Sequence, residues 1–161
     1  MKRILFLCTG NSCRSQMAQA IMNRLGRGRF EAFSAGSKPA GYVHPLAIRT
    51  LADANLPTDG LRSKSWDEFR GRAFDFVITV CDRAKESCPV LPGQPITAHW
   101  GFEDPAEATG TDEQKRLVFR RIFGEIQARI GLFLALPMDK LSFFELEKQV
   151  RGLGPIKEPA R

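Results

Sequence analysis

A chain of 161 residues that is 43% hydrophobic and 26% charged has the size and composition of one soluble domain with a core of its own. Its net charge of +6 is spread over scattered basic residues (Arg24, Arg27, Arg29; Arg70, Arg72; Lys115, Arg116, Arg120, Arg121) without interleaved aromatics. That pattern argues against a nucleic-acid partner and leaves a mild field that gathers small anions. No apolar run approaches the ~20 residues of a membrane span, and Ile4 to Leu7 is too short for a signal peptide. A cytoplasmic monomer is therefore expected, a setting in which four cysteines serve catalysis, redox chemistry or metal binding more often than structural disulfides.

In chain order, Lys2 to Leu7 reads as a buried strand running into Cys8, and Gln16 to Leu25 has helical periodicity. Phe30 to Ser34 alternates as a second strand and ends at the turn signal Ala35-Gly36. Pro45 opens a helix to about Asn55, with Pro57 beyond it, and Ser65 with Glu68 suggests a capping box for a short helix over Trp66 to Phe69. Phe74 to Val80 is a third strand running into Cys81, and Pro95 to His99 a fourth. After Thr111, one stripe of Phe119, Ile122, Phe123, Ile126, Ile130, Phe133 and Leu134 marks a long helix packed on the sheet. Leu141 to Val150 is amphipathic, to lie against the domain or serve a partner, and Arg151 to Arg161 is a Gly- and Pro-containing tail expected to be poorly ordered. Strands alternating with helices imply a parallel α/β sheet, whose ligands sit outside the carboxyl ends of the strands.

Cys8-Thr9-Gly10-Asn11-Ser12-Cys13-Arg14-Ser15 stands between the first strand and the first helix. A loop at a helix N-terminus turns amides toward a tetrahedral anion, Gly10 gives it freedom to do so, and Arg14 adds a two-pronged donor. The same field favours a thiolate at Cys8, making it a nucleophile. Cys13 is expected to shape the loop with its side chain turned away from the anion.

Cys81 lies at the same sheet edge, with Cys88 seven positions on in a polar, charged segment. Two small core residues, or one structural thiol and one bystander, are the plain alternative; zinc is disfavoured because the spacing matches no usual site and the chain has only two histidines, His44 and His99. The sharper expectation is a relay in which Cys81 attacks an adduct on Cys8 and Cys88 then attacks Cys81. Asp104, followed by Pro105 in a loop after the fourth strand, is the candidate general acid, with Glu103 as competitor. His44 is expected at the surface and His99 to shape the acid's loop.

Residues 8–18 (Cys-Thr-Gly-Asn-Ser-Cys-Arg-Ser-Gln-Met-Ala), Phe-Ser-Ala-Gly at 33–36, Val-Cys at 80–81, Cys-Pro-Val-Leu-Pro at 88–92 and His-Trp-Gly-Phe-Glu-Asp-Pro-Ala at 99–106 resemble the arsenate reductase branch of the low-molecular-weight protein tyrosine phosphatase superfamily. The resemblance implies a four-stranded parallel sheet flanked by helices on both faces, with residues 1–136 as the domain and 137–161 as a partly helical extension. It implies reduction of arsenate to arsenite for detoxification: Cys8 as nucleophile, Thr9, Gly10, Asn11, Ser12, Cys13 and Arg14 as the oxyanion cradle, Ser15 bonding the thiolate, Asn11 holding the loop, Asp104 as acid, and Cys81 and Cys88 as relay thiols. No tightly bound cofactor is implied, only an external reductant, thioredoxin or glutaredoxin with glutathione.

Some members of that branch bind potassium near the loop through Asn, Glu, Ser and Asp. Here Asn11 and Ser34 match, but Gln19 and Ser65 stand at the acidic positions, so no potassium dependence and no metal site are expected. The main rival is a phosphatase on the same loop, with Tyr42 at its mouth; against it, Ala106-Glu107-Ala108 follows Pro105 where phosphatases offer aromatics, although slow phosphatase side activity is expected. A redox-sensing oxyanion module, the other rival, needs no general acid.

Overall fold

The computed structural model describes residues 1–82 and 95–154. Four strands, β1 (Lys2–Cys8), β2 (Phe30–Gly36), β3 (Phe76–Thr79) and β4 (Ile96–His99), form one sheet of order β2-β1-β3-β4 in which every neighbouring pair is parallel. β1 is central, and its stretch Ile4 to Cys8 is buried on both faces, as a strand inside a parallel sheet requires. β3 and β4 are shorter than the apolar runs suggested, while β2 extends through Gly36 to pair it with Cys8.

Alternation along β1 sorts the core into two parts. Ile4, Phe6 and Cys8 join one cluster with side chains from four helices, α1 (Arg14–Leu25), α2 (Pro45–Asp53), α3 (Asp112–Leu134) and α4 (Phe143–Gly152). Leu5 and Leu7 join a smaller cluster with Phe69 and Phe74, covered by the single 3-10 turn Trp66–Phe69. Both faces thus carry helix, unequally. The Arg72 guanidinium lies 5.2 Å from the ring centres of Phe33 and Phe69 and closes the thinner side.

The helix starts show where local signals held. Thr111 and Gln114 form a reciprocal capping box that starts α3 at Asp112. At Ser65 the expected box does not form: Ser65 Oγ accepts from the Asp67 amide, and the Glu68 carboxylate is drawn to Arg62 instead of returning to the cap. Only one 3-10 turn results. α4 lies against the domain, with Leu146 and Val150 buried, Trp100 Nε1 donating to Val150 O at 3.1 Å and Arg151 Nε to Thr97 O at 3.0 Å. No helix among the described residues is long and apolar enough to cross a membrane.

Candidate active site

β1 delivers Cys8 to the carboxyl edge of the sheet, and α1 begins six residues later at Arg14. The cap residue Cys13 offers no side-chain acceptor and the first turn has no acidic residue, so the amides of the helix start are not consumed from within. The carbonyls between are all taken up outside the loop. Cys8 O accepts from Ser37 N (3.3 Å), Thr9 O from Lys38 N (2.9 Å), Gly10 O from Ala40 N (2.8 Å) and Ser63 Oγ (3.1 Å), and Ser12 O from His44 N (3.0 Å). Asn11 O accepts from Gln16 Nε2 at 3.0 Å and Cys13 O from Met17 N at 2.9 Å. With its carbonyls turned outward, the loop presents amides inward, the arrangement that binds a tetrahedral anion.

Asn11 makes this turn possible by adopting φ 49°, the left-handed region that asparagine tolerates better than most residues. Its side chain spans the loop: Oδ1 accepts from Lys64 N and Gln16 Nε2, both at 3.0 Å, and Nδ2 donates to Ser15 Oγ at 2.8 Å. Ser15 Oγ lies 2.9 Å from Cys8 Sγ, and the Asn11 amide donates to the same sulfur at 3.1 Å. Ser15 accepts from Asn11 and keeps a hydroxyl proton that can turn to the sulfur, so the Asn11 amide and the Ser15 hydroxyl can together donate to Cys8 Sγ.

A cavity of about 250 Å³ opens above Cys8, lined by Thr9, Gly10, Ser12, Cys13 and Arg14 and, across from them, by Asp104, Asp82 and Glu107. Arg14 is buried; its Nη1 donates to Phe102 O at 3.1 Å and its Nη2 lies 3.7 Å from Asp104 Oδ2. Asp104 is fixed by its other oxygen, which accepts from Ala106 N at 3.0 Å. Glu103, the competing acid, is engaged by Arg121 at 2.8 Å and does not line the cavity. Asp82 and Glu107 were not singled out by the sequence; their only signal is position, directly after Cys81 and Pro105-Ala106.

Cys81 follows β3 and is fully buried in the same cluster as Cys8. Parallel pairing of β1 with β3, with Val80 N donating to Leu7 O at 2.8 Å, carries both cysteines to one sheet edge. Cys81 is disulfide-bonded, whereas Cys8 and Cys13 are free thiols. Cys88 lies outside the described residues. Cys13 lines the cavity yet is buried, and burial pushes its thiol up to about 12, so it is a neutral, inert group at ordinary pH.

His44 is not a plain surface residue. It caps α2 by accepting from Leu46 N at 3.1 Å through Nδ1, its ring centre lies 4.8 Å from that of Phe119, and burial lowers its pKa. His99 meets Thr79 Oγ1 at 2.7 Å across β3 and β4. Tyr42 is exposed and does not line the cavity.

The residues matched to a potassium site do not fit the ion. Ser34 Oγ donates to Gln19 Oε1 at 2.6 Å, Ser65 Oγ accepts from Asp67 N, and Asn11 Oδ1 is taken by Gln16 and Lys64. The Lys64 ammonium itself stands 3.5 Å from Ser34 Oγ. Two carboxylates are missing and a positive charge is already present, the reverse of what a cation needs.

The family model for low molecular weight phosphotyrosine protein phosphatase matches residues 3–142. An arsenate reductase from Halalkalibacterium halodurans is 41% identical over 132 residues, which span 82% of this chain and 94% of that protein. Among solved structures, an arsenate reductase in the phosphate binding state superposes with a TM-score of 0.70 at 32% identity, covering 84% of this chain and 98% of its own. A thioredoxin-dependent arsenate reductase from Corynebacterium glutamicum superposes with a TM-score of 0.65 at 28% identity, covering 87% of this chain and 64% of its own.

Proposed function

The chain belongs to the low molecular weight phosphotyrosine protein phosphatase family, and from that premise we propose that it is an arsenate reductase working through Cys8, Cys81 and Cys88. The observation that carries this is Cys81, a disulfide-forming cysteine buried one strand away from the free thiol of Cys8. A phosphatase needs Cys8, Arg14 and Asp104, but no second thiol.

Arsenate enters the cavity against the amides of residues 9–14 and the Arg14 guanidinium. Cys8 Sγ attacks arsenic(V) and forms a sulfur–arsenic bond, while Asp104 protonates the departing oxygen, which leaves as water. Cys81, as thiolate, then attacks Cys8 Sγ. The Cys8–Cys81 disulfide forms, the electron pair of the sulfur–arsenic bond stays on arsenic, and arsenite departs as arsenic(III). Cys88 attacks Cys81, which releases Cys8 as thiolate and leaves Cys81 oxidised. An external dithiol, thioredoxin or glutaredoxin with glutathione, returns two electrons; the likeness to a thioredoxin-dependent reductase favours thioredoxin. No tightly bound cofactor enters this scheme. A disulfide on Cys81 beside free Cys8 is the distribution left after the relay's last internal step.

The test is arsenate-dependent oxidation of reduced thioredoxin, or of reduced glutaredoxin, by the purified protein and its Cys8→Ser, Cys81→Ser and Cys88→Ser variants. Cys8→Ser and Cys81→Ser abolish turnover. Cys88→Ser completes one stoichiometric reduction and stalls with Cys8 joined to Cys81. Sustained turnover by Cys88→Ser with every reductant refutes the relay.

A further inference from the structure

None of the steps above uses Lys64, yet it is built into the base of the Cys8 loop. Its backbone N–H donates to Asn11 Oδ1 at 3.0 Å, and its carbonyl accepts from Gly36 N, also at 3.0 Å. Its half-buried side chain turns inward, where Nζ donates to Arg62 O at 3.0 Å and to Ser34 Oγ at 3.5 Å. Both partners are neutral oxygens. Among the described residues no carboxylate forms an ion pair with it, because Glu68 is held by the neighbouring Arg62, whose Nη1 donates to Oε2 at 2.9 Å.

An ammonium partly withdrawn from water without a directly paired carboxylate is costly, and its pKa is lowered to about 8, chiefly by burial and then by the charge of Arg62, against the weaker pull of Glu68. Hydrogen bonding alone does not call for it, since an amide donates as well. What surrounds it explains the charge. Gln16 Nε2 links Asn11 O, Asn11 Oδ1 and Arg62 O, and Lys64 Nζ links Arg62 O to Ser34 Oγ, which itself donates to Gln19 Oε1. None of Gln16, Gln19, Ser34, Arg62 or Lys64 lines the cavity. Negative ends of dipoles therefore gather on the side of the loop away from the anion. A positive charge there is aligned with peptide units whose amides point the other way, into the cradle.

We propose that the Lys64 ammonium takes the place of a bound monovalent cation beneath the Cys8 loop, as a positioning residue whose charge keeps the loop's amides directed at the oxyanion. This deepens the function proposed above, since it rests on the loop being an oxyanion cradle.

The test uses inorganic phosphate as probe, so that it runs without any redox step. Phosphate affinity of the full chain is measured at pH 7 by calorimetry in potassium chloride, in ammonium chloride and in choline chloride at equal ionic strength, for wild type, Lys64→Ala, Lys64→Gln and Lys64→Arg. Wild type binds equally in all three salts. In choline chloride Lys64→Ala and Lys64→Gln bind about threefold to tenfold more weakly, Lys64→Arg recovers much of the loss, and potassium or ammonium restores Lys64→Ala. Unchanged affinity in Lys64→Ala, or a loss that neither a cation nor arginine repairs, overturns the proposal and leaves Lys64 a structural bracket. If Lys64→Ala does not fold in choline chloride, Lys64→Gln, which keeps amide donors, carries the same comparison. Failure of wild type to reduce arsenate sinks the reductase assignment and leaves these binding differences standing; the converse result leaves the reductase and removes the role of Lys64.

Discussion

Gly36 and Thr9 meet with no room for a side chain: a Cβ on Gly36 would lie 2.5 Å from Thr9 O and 3.0 Å from Asn11 N. Gly36 is the last residue of β2 and pairs with Cys8, so the glycine is what lets the nucleophile loop lie down on the neighbouring strand. Gly36→Ala must push backbone, not a flexible side-chain tip. We expect it to weaken phosphate binding at least tenfold and to lower arsenate turnover about 100-fold, the scale on which ångström-level misplacement acts. Gly124→Ala is the control: nothing lies within 4 Å of its added Cβ, and in mid-helix alanine should stabilise by about 0.5–1 kcal/mol. Equal phosphate affinity in Gly36→Ala and wild type would show that the loop tolerates the displacement.

The loop motif itself was legible, because its residues are contiguous and the switch from strand to helix periodicity flanks it. So was the placing of Cys8 and Cys81 at one edge, which follows from parallel strands. What was not legible is how the loop's carbonyls are satisfied. Ser37, Lys38, Ala40, His44, Ser63 and Gln16 supply those donors, and no local pattern announces a partner that arrives from another segment. Ser65 and Glu68 fail for a related reason: the capping-box spacing is present, but a nearby Arg62 competes for the carboxylate. Glu103 and Asp104 are adjacent and chemically alike, and only the fold assigns one to Arg121 and the other to Arg14.

Asn11 separates strain from hydrogen bonding. Asn11→Gly keeps the φ of 49° accessible but removes the bonds to Ser15 Oγ, Lys64 N and Gln16 Nε2, a loss of about 1–3 kcal/mol in urea unfolding. Asn11→Ala loses the same bonds and also places an alanine in the left-handed region, for roughly 1 kcal/mol more. A stability order with alanine above glycine would mean that the loop relaxes out of this conformation.

Cys13 is expected to make a contribution to stability that alkali removes. In the folded chain burial pushes its thiol up to about 12 from an ordinary 9.0, so above pH 9 the unfolded chain sheds the proton first. The contribution is fully present below about pH 9 and is lost as pH rises toward 12. Cys13→Ala is therefore expected to show a shallower fall of Tm between pH 9 and 11 than wild type. Matching slopes would place the alkaline loss elsewhere. Cys8 and Cys13 are equally buried, but the raised thiol of Cys13 is neutral at pH 7. Iodoacetamide is therefore expected to spare Cys13 and to label Cys8, the nucleophile of the proposed reaction, in reduced protein, read by peptide mass spectrometry.

α4 braces the acid's side of the cavity. Trp100, fully buried before the segment that carries Phe102 and Asp104, donates its indole N–H to Val150 O at 3.1 Å. Trp100→Phe keeps most of the packing and leaves that carbonyl with the Leu153 amide, 3.2 Å away, as its remaining donor, so the loss by urea denaturation is that of one hydrogen bond, about 0.5–1.5 kcal/mol. Ending the chain after Pro137 strips Leu146 and Val150 from the core and should cost more, about 2–5 kcal/mol. A truncated protein as stable as the full chain would show α4 to be an ornament of the edge strand.

Asp104 competes with the substrate for the Arg14 guanidinium. Arg14 Nη2 stands 3.7 Å from Asp104 Oδ2 while Nη1 is committed to Phe102 O, so an incoming anion must share Arg14 with a carboxylate that also faces it across the cavity. Asp104→Asn removes this rival negative charge and retains a side chain able to accept from Ala106 N. Phosphate binding should tighten, by about threefold to tenfold. Arsenate turnover should move the other way, falling about 10²- to 10⁴-fold as the proton for the leaving oxygen is lost. Opposite changes in affinity and turnover are the signature of a general acid that opposes the ground state it later serves. If affinity and turnover fall together, Asp104 acts instead by holding Arg14 in place, and Asp82 and Glu107, the other acidic residues that line the cavity among the described residues, become the candidate proton donors.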